Sequence, residues 1–577
     1  MKRDIDRLAA GEYDLLVIGA GIYGACAAWD AALRGLSVAL IDRGDFGGAT
    51  SQNSQKIIHG GLRYLQQADL VRVRESIRER RTMARIAPHF VHPFPCVMPT
   101  YGHFTRGREA LLMGMLANDL IGFDRNRLAD PQKRIPRGRI ISREKVLELL
   151  PGIPTRGLTG GAVWHDCQTH NSERLLLSFI LSACERGAAA ANYAEATGFL
   201  STGRRVTGVR ALDRTDGRAF DIRAKVVLNA AGPWSDKVLA LLDPAAASPP
   251  LRLSTALIVL TRRFISGCGA GISRRGGPAA PGTPAAKGTR LYFITPWRDV
   301  SLVGTVHAPY RGDPDEDRVT EKEISDLLDA VNAAYPSARL SRRDVRAFYR
   351  GLLPLGRVNR RTGEAIVMTR YRLVDHRRRH GWEGIITVIG VKYTTARDVA
   401  EKAVDMAIGK LGAPRRGGAS ASTPIYGGDI RRFDEFLDRA VRTRPRWASE
   451  EVARHLVFHY GSRYTDLLAL AERDRALARP IPGGGAVIAA EIARAAREEM
   501  ALTLADAVLR RTELGSAGCP PDECLRACAG IMARELGWDA GRAEAEIEAL
   551  KLLYIPKKAG EDRCGTAGGA DGQKPPV

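Results

Sequence analysis

Three glycines near the N-terminus have the spacing of a loop that holds a dinucleotide. Gly19, Gly21 and Gly24 follow an apolar run, and a second apolar run ends in Asp42. In a strand–turn–helix–strand unit the first glycine permits a tight turn, the second lets the backbone approach a pyrophosphate, and the third lets the helix pack closely on the strand. The N–H groups at the start of that helix favour phosphates, and Asp42 is placed to accept hydrogen bonds from a ribose. The pattern therefore predicts a nucleotide cofactor at this turn.

Two later segments repeat the order of apolar strand, tight turn and helix. Residues 224–230 precede a turn that contains Gly232, and residues 384–390 precede a helix capped by Thr394 or Thr395. The carboxyl ends of strands are where α/β folds place ligands. One nucleotide-binding domain assembled from distant segments, with a β-rich domain inserted between them, fits this order best.

Flavoproteins of the glutathione-reductase type are built in this way. We therefore predict an α/β fold with an FAD-binding Rossmann domain of that type, an inserted antiparallel β domain for the substrate, and a helical C-terminal domain. The predicted boundaries are an oxidoreductase part at 1–425, with nucleotide-binding segments at about 12–100, 170–240 and 365–412 and a substrate part at about 240–365; a helical cap at 430–555; and a disordered tail at 556–577.

The composition is that of a globular enzyme with an excess of basic residues. The 577 residues include 87 Lys and Arg against 65 Asp and Glu, a formal net charge of +22. This excess suits an anionic partner such as lipid or a phosphorylated substrate, and a general bias toward Arg explains it equally. Nucleic-acid binding is not expected, because no nucleic-acid fold signature accompanies the charge. A metal site is not expected either, because the clustered Cys519, Cys524 and Cys528 form no CxxC pair and have no nearby His.

The N-terminal residues and one internal helix bear on location. Residues 1–12 are charged and lack the apolar core of a signal peptide, which predicts a cytoplasmic protein. No stretch approaches the roughly 18–20 apolar residues that span a bilayer. Residues 108–127 have the pattern of an amphipathic helix flanked by arginines. Such a helix either packs against the core or lies on a membrane surface, which would place the protein at the inner face of the cell membrane.

A longer segment points to a particular family. Residues 49–65, ATSQNSQKIIHGGLRYL, match the pattern ATS-x-x-S-x-K-x-IHGGLRYL of the FAD-dependent glycerol-3-phosphate dehydrogenases of the aerobic bacterial and mitochondrial type. The chain resembles this family in further segments at 87–89, 229–236, 304–305, 310–314, 390–397, 455–464 and 497–512. The resemblance extends over about residues 12–550, and it implies FAD as the cofactor.

The resemblance also implies which residues surround the cofactor. Besides the three glycines and Asp42 of the first turn, they are Thr50, Ser51, Lys56, Gly232, Gly390, Lys392 and Thr394. Thr50 and Ser51 offer hydroxyl and N–H groups to the diphosphate. The turn at Lys392 opens a helix whose positive end stabilises negative charge on the reduced flavin.

The substrate pocket is the second set that the resemblance implies. It places Arg63, Tyr64 and Arg370 beside the flavin, where a guanidinium suits an anionic substrate. An ordinary surface salt bridge is the alternative for any single arginine. His59 is expected to pass close to the isoalloxazine ring, a satisfied core imidazole being the alternative. The catalytic base is left open between His59 and His307.

The chain departs from the family pattern at three positions of the pocket. Thr255 and Ile258 stand where the family has Lys and His, and Leu353 stands where it has Arg. Each lost charge-assisted contact costs about 1.5–3 kcal/mol of substrate binding, enough together to change the substrate. The residues proposed to compensate are Arg350, Arg290 and His307.

The expected function is FAD-dependent oxidation of sn-glycerol 3-phosphate to dihydroxyacetone phosphate. Hydride passes to flavin N5 and electrons pass on to a membrane quinone, which requires peripheral membrane contact. One alternative is an enzyme of the same fold that acts on another hydroxy acid, polyol or amine. Another is a flavin-binding protein without efficient turnover. An NAD-dependent dehydrogenase is disfavoured, because the IHGGLRYL and GVKYTT segments have no role in that class. The sequence leaves open whether quinone or oxygen is the acceptor and whether the chain forms a homodimer.

Overall fold

A computed structural model of the chain describes residues 1–102, 108–247, 249–273, 291–360, 363–412, 414 and 417–557. Two large β-sheets and a helical C-terminal part make up the described structure. The first sheet has eight strands: β1 (Glu12–Ile18), β2 (Val38–Ile41), β7 (Ala189–Ala191), β8 (Ala194–Thr202), β9 (Arg205–Asp213), β10 (Ala219–Asn229), β17 (Arg372–Asp375) and β18 (Ile385–Ile389). The second has ten: β3 (Ile57–Ile58), β4 (Val91–Tyr101), β5 (Arg139–Ile141), β6 (Leu158–Thr169), β11 (Leu253–Arg262), β12 (Gly269–Ser273), β13 (Leu291–Trp297), β14 (Val300–Tyr310), β15 (Val345–Val358) and β16 (Ala365–Val367).

The centre of the first sheet is parallel. Its strand order is β17-β18-β10-β1-β2-β7, and β1 pairs in parallel with both β2 and β10, while β10 pairs in parallel with β18. Parallel strands are buried on both faces, which explains the continuous apolar runs of β1 and β2. Because the carboxyl ends of parallel strands meet at one edge, the turns that follow β1, β10 and β18 lie together.

The second sheet takes its strands from a wider range than the predicted substrate part. Its order is β16-β15-β11-β14-β13-β12-β4-β6-β3, with β5 alongside β6. β4 pairs with β12 and β6, so residues 91–101 belong to this sheet, although the predicted nucleotide-binding segment extends to about 100. The difference arises because strand pairing between distant segments leaves no signal in the residues of β4 themselves.

Sixteen α-helices are present in the described part of the chain. They are α1 (Ile5–Ala10), α2 (Ile22–Leu33), α3 (Leu70–Ile86), α4 (Arg108–Ile121), α5 (Arg143–Leu149), α6 (Ser172–Glu185), α7 (Ser235–Ala240), α8 (Glu321–Ala334), α9 (His376–His380), α10 (Ala396–Leu411), α11 (Phe433–Arg442), α12 (Glu450–Tyr460), α13 (Tyr464–Arg473), α14 (Ala489–Glu498), α15 (Asp522–Leu536) and α16 (Ala540–Leu552). Among the described residues, none of the helices combines the length and apolar character needed to cross a bilayer.

Three helices cover one face of the first sheet and form the core under the first glycine turn. α2 packs against α6 and α10, and the Trp29 ring of α2 meets the Phe179 ring of α6 edge-on at 5.5 Å. The small side chains of α2, such as Ala25 and Ala28, are fully buried and allow this close approach. The helical C-terminal part has its own core, to which α12, α14, α15 and α16 contribute.

Buried ion pairs join the C-terminal part to the first sheet. Asp45, just after β2, accepts hydrogen bonds from Arg511 at 2.6 and 2.7 Å and from Arg510, both in the π-helical turn Asp506–Arg511. Arg174 of α6 forms a second pair with Glu499, at 2.8 and 3.0 Å. Burial alone would raise the pKa of Asp45, but the charges of Arg511 and Arg510 outweigh it and lower that pKa below its ordinary value. The carboxylate of Asp45 therefore stabilises this junction in its charged form.

Replacing Asp45 with alanine is expected to lower the free energy of unfolding by about 3–5 kcal/mol, because the buried Arg511 loses its carboxylate partner and the buried Arg510 keeps only Asp506. The pKa of Asp45 is lower in the folded protein than its ordinary unfolded value of about 3.9, so its contribution is complete above that value and is lost as the pH falls through the folded pKa. Thermal unfolding followed by circular dichroism at pH 7 and at pH 3 measures both effects. The control is Asp221→Ala, which removes an exposed pair with Arg210. Equal effects of the two variants at pH 7 would contradict the assignment.

Candidate cofactor and substrate site

The first glycine turn can be built only with glycine. Gly19 has φ of +96°, and a Cβ there would lie 2.7 Å from the carbonyl oxygen of Ala230, in the turn after β10. A Cβ on Gly24 would lie 1.9 Å from the carbonyl oxygen of Gly19. The end of β1, the start of α2 and the turn after β10 are therefore in backbone contact at this point.

Gly21 and Ser51 form the open side of the turn. The Ser51 hydroxyl accepts a hydrogen bond from the N–H of Ile22, at the first residue of α2, at 3.0 Å. A Cβ on Gly21 would come within 3.3 Å of that hydroxyl, so a side chain here would narrow the cradle at the start of the helix. The helix start combines unhindered backbone with a hydroxyl, which suits a phosphate group.

Asp42 holds the same turn from the end of β2. Its carboxylate accepts hydrogen bonds from the N–H of Ala20 at 2.7 Å and from the N–H of Gly44 at 2.9 Å. Burial raises the pKa of Asp42 to about 6. This carboxylate fixes the glycine turn as well as lying where the sequence analysis expects a ribose.

Tyr23 ties the first turn to the turn after β18. Its hydroxyl donates to the carbonyl oxygen of Lys392 at 2.8 Å and accepts from the N–H groups of Val391 and Lys392 at 2.9 and 3.0 Å. A Cβ on Gly390 would lie 2.1 Å from the Tyr23 ring, so glycine is required there. Burial raises the pKa of Tyr23 to about 12, which keeps the phenol protonated. The contact places Lys392 at the edge where the three turns meet.

The turn after β18 also contacts the segment that contains His59. The hydroxyl of the buried Thr394 accepts a hydrogen bond from the backbone N–H of His59 at 3.2 Å. The His59 ring lies edge-on to the Tyr64 ring at 5.7 Å. Burial first, and then the charge of Lys392, lowers the pKa of His59 to about 4. His59 is therefore neutral at physiological pH.

Three cations surround Tyr64 and its neighbours, and we call Arg72, Lys392 and Arg370 the cationic wall. The Arg72 guanidinium and the Lys392 ammonium lie 3.8 and 3.9 Å from the centre of the Tyr64 ring. The exposed Arg370 lies 3.5 Å from Asp69, the residue that caps α3. Burial, and next the charge of Arg72, lowers the pKa of Lys392 to about 7. This wall favours an anionic ligand.

Four further residues are expected at the cofactor or the substrate: Thr50, Lys56, Gly232 and Arg63. The Thr50 hydroxyl hydrogen-bonds the backbone of Leu352, at 3.1 Å from its oxygen and 3.3 Å from its nitrogen. Lys56 lies in a buried ion pair with Glu173. Gly232 has φ of +56°, which favours glycine. The side chain of Arg63 lies outside the described residues.

Two of the three departures from the family pattern lie on one face of the second sheet. Leu353 of β15 pairs with Ser254 of β11, and alternate residues of a strand share a face, so Leu353 lies on the same face as Ile258. A Cβ on Gly351, also on this face, would lie 3.1 Å from the Thr50 side chain. This apolar face is therefore turned toward the nucleotide-binding part.

Thr255 is separated from the other two departures by the pleat of β11. Its side chain lies on the opposite face from that of Ile258, and its hydroxyl lies 3.3 Å from the carbonyl oxygen of Ala308. The family pattern assigns all three positions to one pocket. The spacing of three residues between Thr255 and Ile258 places their side chains on opposite faces only if both belong to one extended strand, and the structure establishes that they do.

The proposed substitutes for the missing charges have different surroundings. Arg350 is paired with Asp317 at 2.7 Å and with Glu323 at 2.7 Å, so its charge is already balanced. His307 lies opposite Ala256, on the face that carries Ile258 and Leu353, with Nδ1 3.3 Å from the carbonyl oxygen of Thr255. Arg290 lies outside the described residues.

Known protein families match both the oxidoreductase part and the helical C-terminal part of this chain. A family described as "FAD dependent oxidoreductase" matches residues 14–393, and one described as "C-terminal domain of alpha-glycerophosphate oxidase" matches residues 419–543. The solved structure of the glycerol-3-phosphate dehydrogenase from Bacillus halodurans, complexed with FAD, has a TM-score of 0.73 at 24% identity and covers 95% of this chain and 96% of its own. These matches define the class, an FAD-dependent oxidoreductase, and confirm the predicted fold.

Sequence relatives narrow the class to one family. A glycerol-3-phosphate dehydrogenase of Synechocystis is 33% identical over 574 residues, which cover 97% of this chain and all of the relative. The mitochondrial glycerol-3-phosphate dehydrogenase of Homo sapiens is 31% identical over 94% of this chain and 73% of its own length. The chain belongs to the family of FAD-dependent glycerol-3-phosphate dehydrogenases, as the resemblance of residues 49–65 predicts.

The residues present fit FAD. The cradle at Gly21 would be narrowed by a Cβ, and it lies at the start of a helix, where a diphosphate is stabilised. Asp42 lies at the end of the second strand, where such folds bind the ribose. The turn at 390–395 precedes α10 and offers a helix N-terminus to a negatively charged flavin ring.

Two residues of the site were missed from the sequence. Tyr23 stands between Gly21 and Gly24, and its position inside the glycine motif was the available signal. Arg72 stands in a long run of charged residues in α3, where nothing distinguishes it from its neighbours. Only its contact with Tyr64 identifies it.

Replacing Gly390 with alanine is expected to displace either Tyr23 or the 390–392 turn, because the new Cβ would overlap the phenol ring. We expect FAD to bind at least tenfold more weakly, as measured by flavin fluorescence on titration of the apoprotein. The matched control is Gly409→Ala, in the last turn of α10, where a Cβ would have no neighbour within 4 Å. The double variant Tyr23→Ala, Gly390→Ala should recover part of the lost affinity. An unchanged affinity in Gly390→Ala would show that the turn plays no part in holding FAD.

Proposed function

We propose that the protein oxidises sn-glycerol 3-phosphate to dihydroxyacetone phosphate. The observation that carries this proposal is the cationic wall at Tyr64, beside the turn at 390–395. A phosphate monoester carries nearly two negative charges at neutral pH. The wall offers two cations, 3.8 and 3.9 Å from the centre of the Tyr64 ring, and a third, Arg370, beside Asp69. The chain's relatives along its whole length are glycerol-3-phosphate dehydrogenases, which agrees with this substrate.

Arg72 and Lys392 are the residues that we assign to the phosphate. The Nε of Arg72 makes no hydrogen bond to the described residues and lies 3.8 Å from Asp69 Oδ2, so a bound phosphate would share this guanidinium with Asp69. Lys392 is partly desolvated, and a bound dianion would restore the charged state of its ammonium. Arg370, exposed and near Asp69, is placed to close on the phosphate from the solvent side.

The reaction also needs an acceptor for the hydroxyl proton. The pKa of His59 is lowered to about 4, so its imidazole is neutral and can accept a proton, but a pKa this far below 7 also makes it a weak base. Bound FAD supplies the hydride acceptor, N5 of its flavin. His307 is the second candidate base, since Nδ1 faces the carbonyl oxygen of Thr255, which leaves Nε2 as the acceptor in the neutral ring.

One observation favours a second substrate class. The face of the second sheet that is turned toward the nucleotide-binding part is apolar at Ile258 and Leu353. An enzyme of the same fold that oxidises a hydroxy acid, polyol or amine without a phosphate would use such a face. A neutral polyol or an amine does not need the cationic wall, whereas a hydroxy acid would still pair its carboxylate with it. For a polyol or an amine, the two proposals therefore differ in their requirement for Lys392.

Anaerobic addition of glycerol 3-phosphate to the yellow holoprotein is expected to bleach the flavin band near 450 nm. In Lys392→Met the concentration for half-maximal bleaching should rise about 10- to 100-fold, the equivalent of one charge-assisted hydrogen bond. The control is Lys322→Met, on the exposed side of α8, with no expected change. A protein that stays oxidised with glycerol 3-phosphate, but is bleached by a non-phosphorylated alcohol or amine, would support the second class instead.

The same measurement has a pH dependence with a defined sign. The Lys392 ammonium is charged below its pKa of about 7 and loses its proton above it. The half-maximal concentration for the wild type should therefore increase as the pH rises from 7 to 9, and that of Lys392→Met should stay constant over the same range. A parallel increase in both proteins would exclude Lys392 as the phosphate ligand.

We further propose that a membrane quinone accepts the electrons and that the chain binds the membrane through α4. The proposed contact, the α4 patch, consists of Leu112, Met113, Leu116, Leu120 and Phe123. Leu120 and Phe123 are 78% and 71% exposed, and contiguous apolar patches of this kind mark interaction surfaces. The guanidinium groups of Arg74 and Arg127 lie 5.1 and 5.7 Å from the Phe123 ring, which adds positive charge for anionic lipid.

The double variant Leu116→Glu, Leu120→Glu is expected to lose co-sedimentation with vesicles that contain one third phosphatidylglycerol, because two carboxylates enter the apolar face. Bleaching by glycerol 3-phosphate in solution should not change. The control is Leu552→Glu, Leu553→Glu at the exposed end of α16. Light scattering of the same proteins tests the homodimer: if the α4 variant turns a dimer into a monomer and vesicle binding is unaffected, the patch is a subunit interface and the membrane proposal is wrong.

A further inference from the structure

A cluster of potential metal ligands lies at the junction of the C-terminal part with the second sheet. His170 directly follows β6, His459 belongs to α12, and Glu513 follows the π-helical turn. Glu513 Oε2 lies 3.0 Å from His459 Nε2 and 3.9 Å from His170 Nε2. The ligand atoms of all three residues lie within 4.8 Å of one another. None of these residues belongs to the cofactor and substrate site.

The tautomer of His459 leaves a lone pair directed at a carboxylate. Nδ1 lies 2.9 Å from the backbone carbonyl oxygen of His455, which can only accept, so Nδ1 carries the proton. In the neutral ring Nε2 is then an acceptor, and it faces Glu513 Oε2 at 3.0 Å. His459 is 1% exposed, and no described residue donates a hydrogen bond to Nε2. Two acceptors at this distance repel each other unless a cation lies beside both of them.

We propose that His170, His459 and Glu513 bind a divalent transition-metal ion of the zinc type. Two imidazole nitrogens and one carboxylate oxygen are a set of protein ligands that Zn²⁺ prefers. Ligand atoms 2.0–2.2 Å from a tetrahedral ion are about 3.3–3.6 Å apart, between the distances of 3.0 and 3.9 Å from Glu513 Oε2 to the two imidazoles. To complete the set, the ligand atom of His170 must move closer to Glu513 Oε2, which is 3.9 Å away, and reach the same separation from the ligand atom of His459, which lies within 4.8 Å.

The surroundings of the three ligands have the features of an outer shell. The Nδ1–H of His459 is held by a carbonyl oxygen, as in most metal-binding histidines. Glu513 is oriented by His455, 3.3 Å from Oε1, and by Arg298, 2.7 Å from Oε2. The Arg298 guanidinium already uses one lone pair of Glu513 Oε2. Each carboxylate oxygen has two lone pairs, so a metal ion can bind through the other.

The ion would have a path of entry and a structural consequence. The side chains of His170 and Glu513 are 28% and 24% exposed, so solvent reaches the site and a water can supply the fourth ligand. His459 and Glu513 come from the C-terminal part, whereas His170 lies in the short link between β6 and α6. A metal bound here would cross-link the two parts of the chain.

The test uses tag-free holoprotein equilibrated with Zn²⁺, desalted, and analysed by inductively coupled plasma mass spectrometry. We expect one zinc per chain in the wild type and less than a tenth of that in His459→Gln and in Glu513→Gln. His165→Gln, a histidine of β6 outside the cluster, should retain the metal. Flavin absorbance and circular dichroism establish that each variant is folded.

A thermal measurement distinguishes a metal ion bound at His459 from a proton at the same place. Zn²⁺ should raise the melting temperature of the wild type, EDTA should reverse the increase, and His459→Gln should respond to neither. If the wild type retains no more zinc than His459→Gln, and its melting temperature is indifferent to Zn²⁺ and EDTA, the cation beside His459 is a proton and the proposal is overturned.

Discussion

The cofactor end of the protein depends on the contact between the Tyr23 phenol and the backbone of residues 390–392. One hydroxyl group makes three hydrogen bonds to that turn, and its ring occupies the space that a side chain on Gly390 would fill. The turn at 390–392 sets the positions of Lys392 and Thr394. The Thr394 hydroxyl accepts a hydrogen bond from the backbone N–H of His59. The parallel alignment of β1, β10 and β18 makes this contact possible, because it brings their carboxyl ends to one edge.

The electrostatics of the pocket follow from this placement. Lys392 and Arg72 both lie against the Tyr64 ring, and burial first, then repulsion from Arg72, lowers the pKa of Lys392. An anionic substrate relieves both costs, so the positive charge is arranged before the substrate arrives. Asp69 limits the repulsion by pairing with Arg370 and capping the helix that carries Arg72.

The helical C-terminal part is coupled to the nucleotide site through a short loop. Asp45, which pairs with Arg510 and Arg511, lies three residues after Asp42, and the N–H of Gly47 donates to the carbonyl oxygen of Ala20 at 3.1 Å. The loop between β2 and residue 51 therefore contacts both the glycine turn and the C-terminal part. Because these ion pairs are buried, they tolerate little displacement, which keeps the loop in one position.

Local patterns were sufficient for the nucleotide-binding half of the site. Gly19, Gly21 and Gly24 act through backbone geometry within six residues, so their spacing alone predicted the turn that the structure contains. The family itself was recognisable from residues 49–65. The arrangement of the substrate half was not predictable, because the faces of Ile258 and Thr255 depend on the register of β11 with β15.

The sequence by itself thus determined the cofactor class, the fold and the family, since each rests on short segments whose meaning does not depend on distant residues. The tertiary structure alone decided which cations surround Tyr64 and which residue clamps the turn at Gly390. Only the tertiary structure, likewise, brings His170, His459 and Glu513 together. The physical reason is that these contacts join residues far apart in the chain, and strand pairing and helix packing, rather than local preference, set the distances between them.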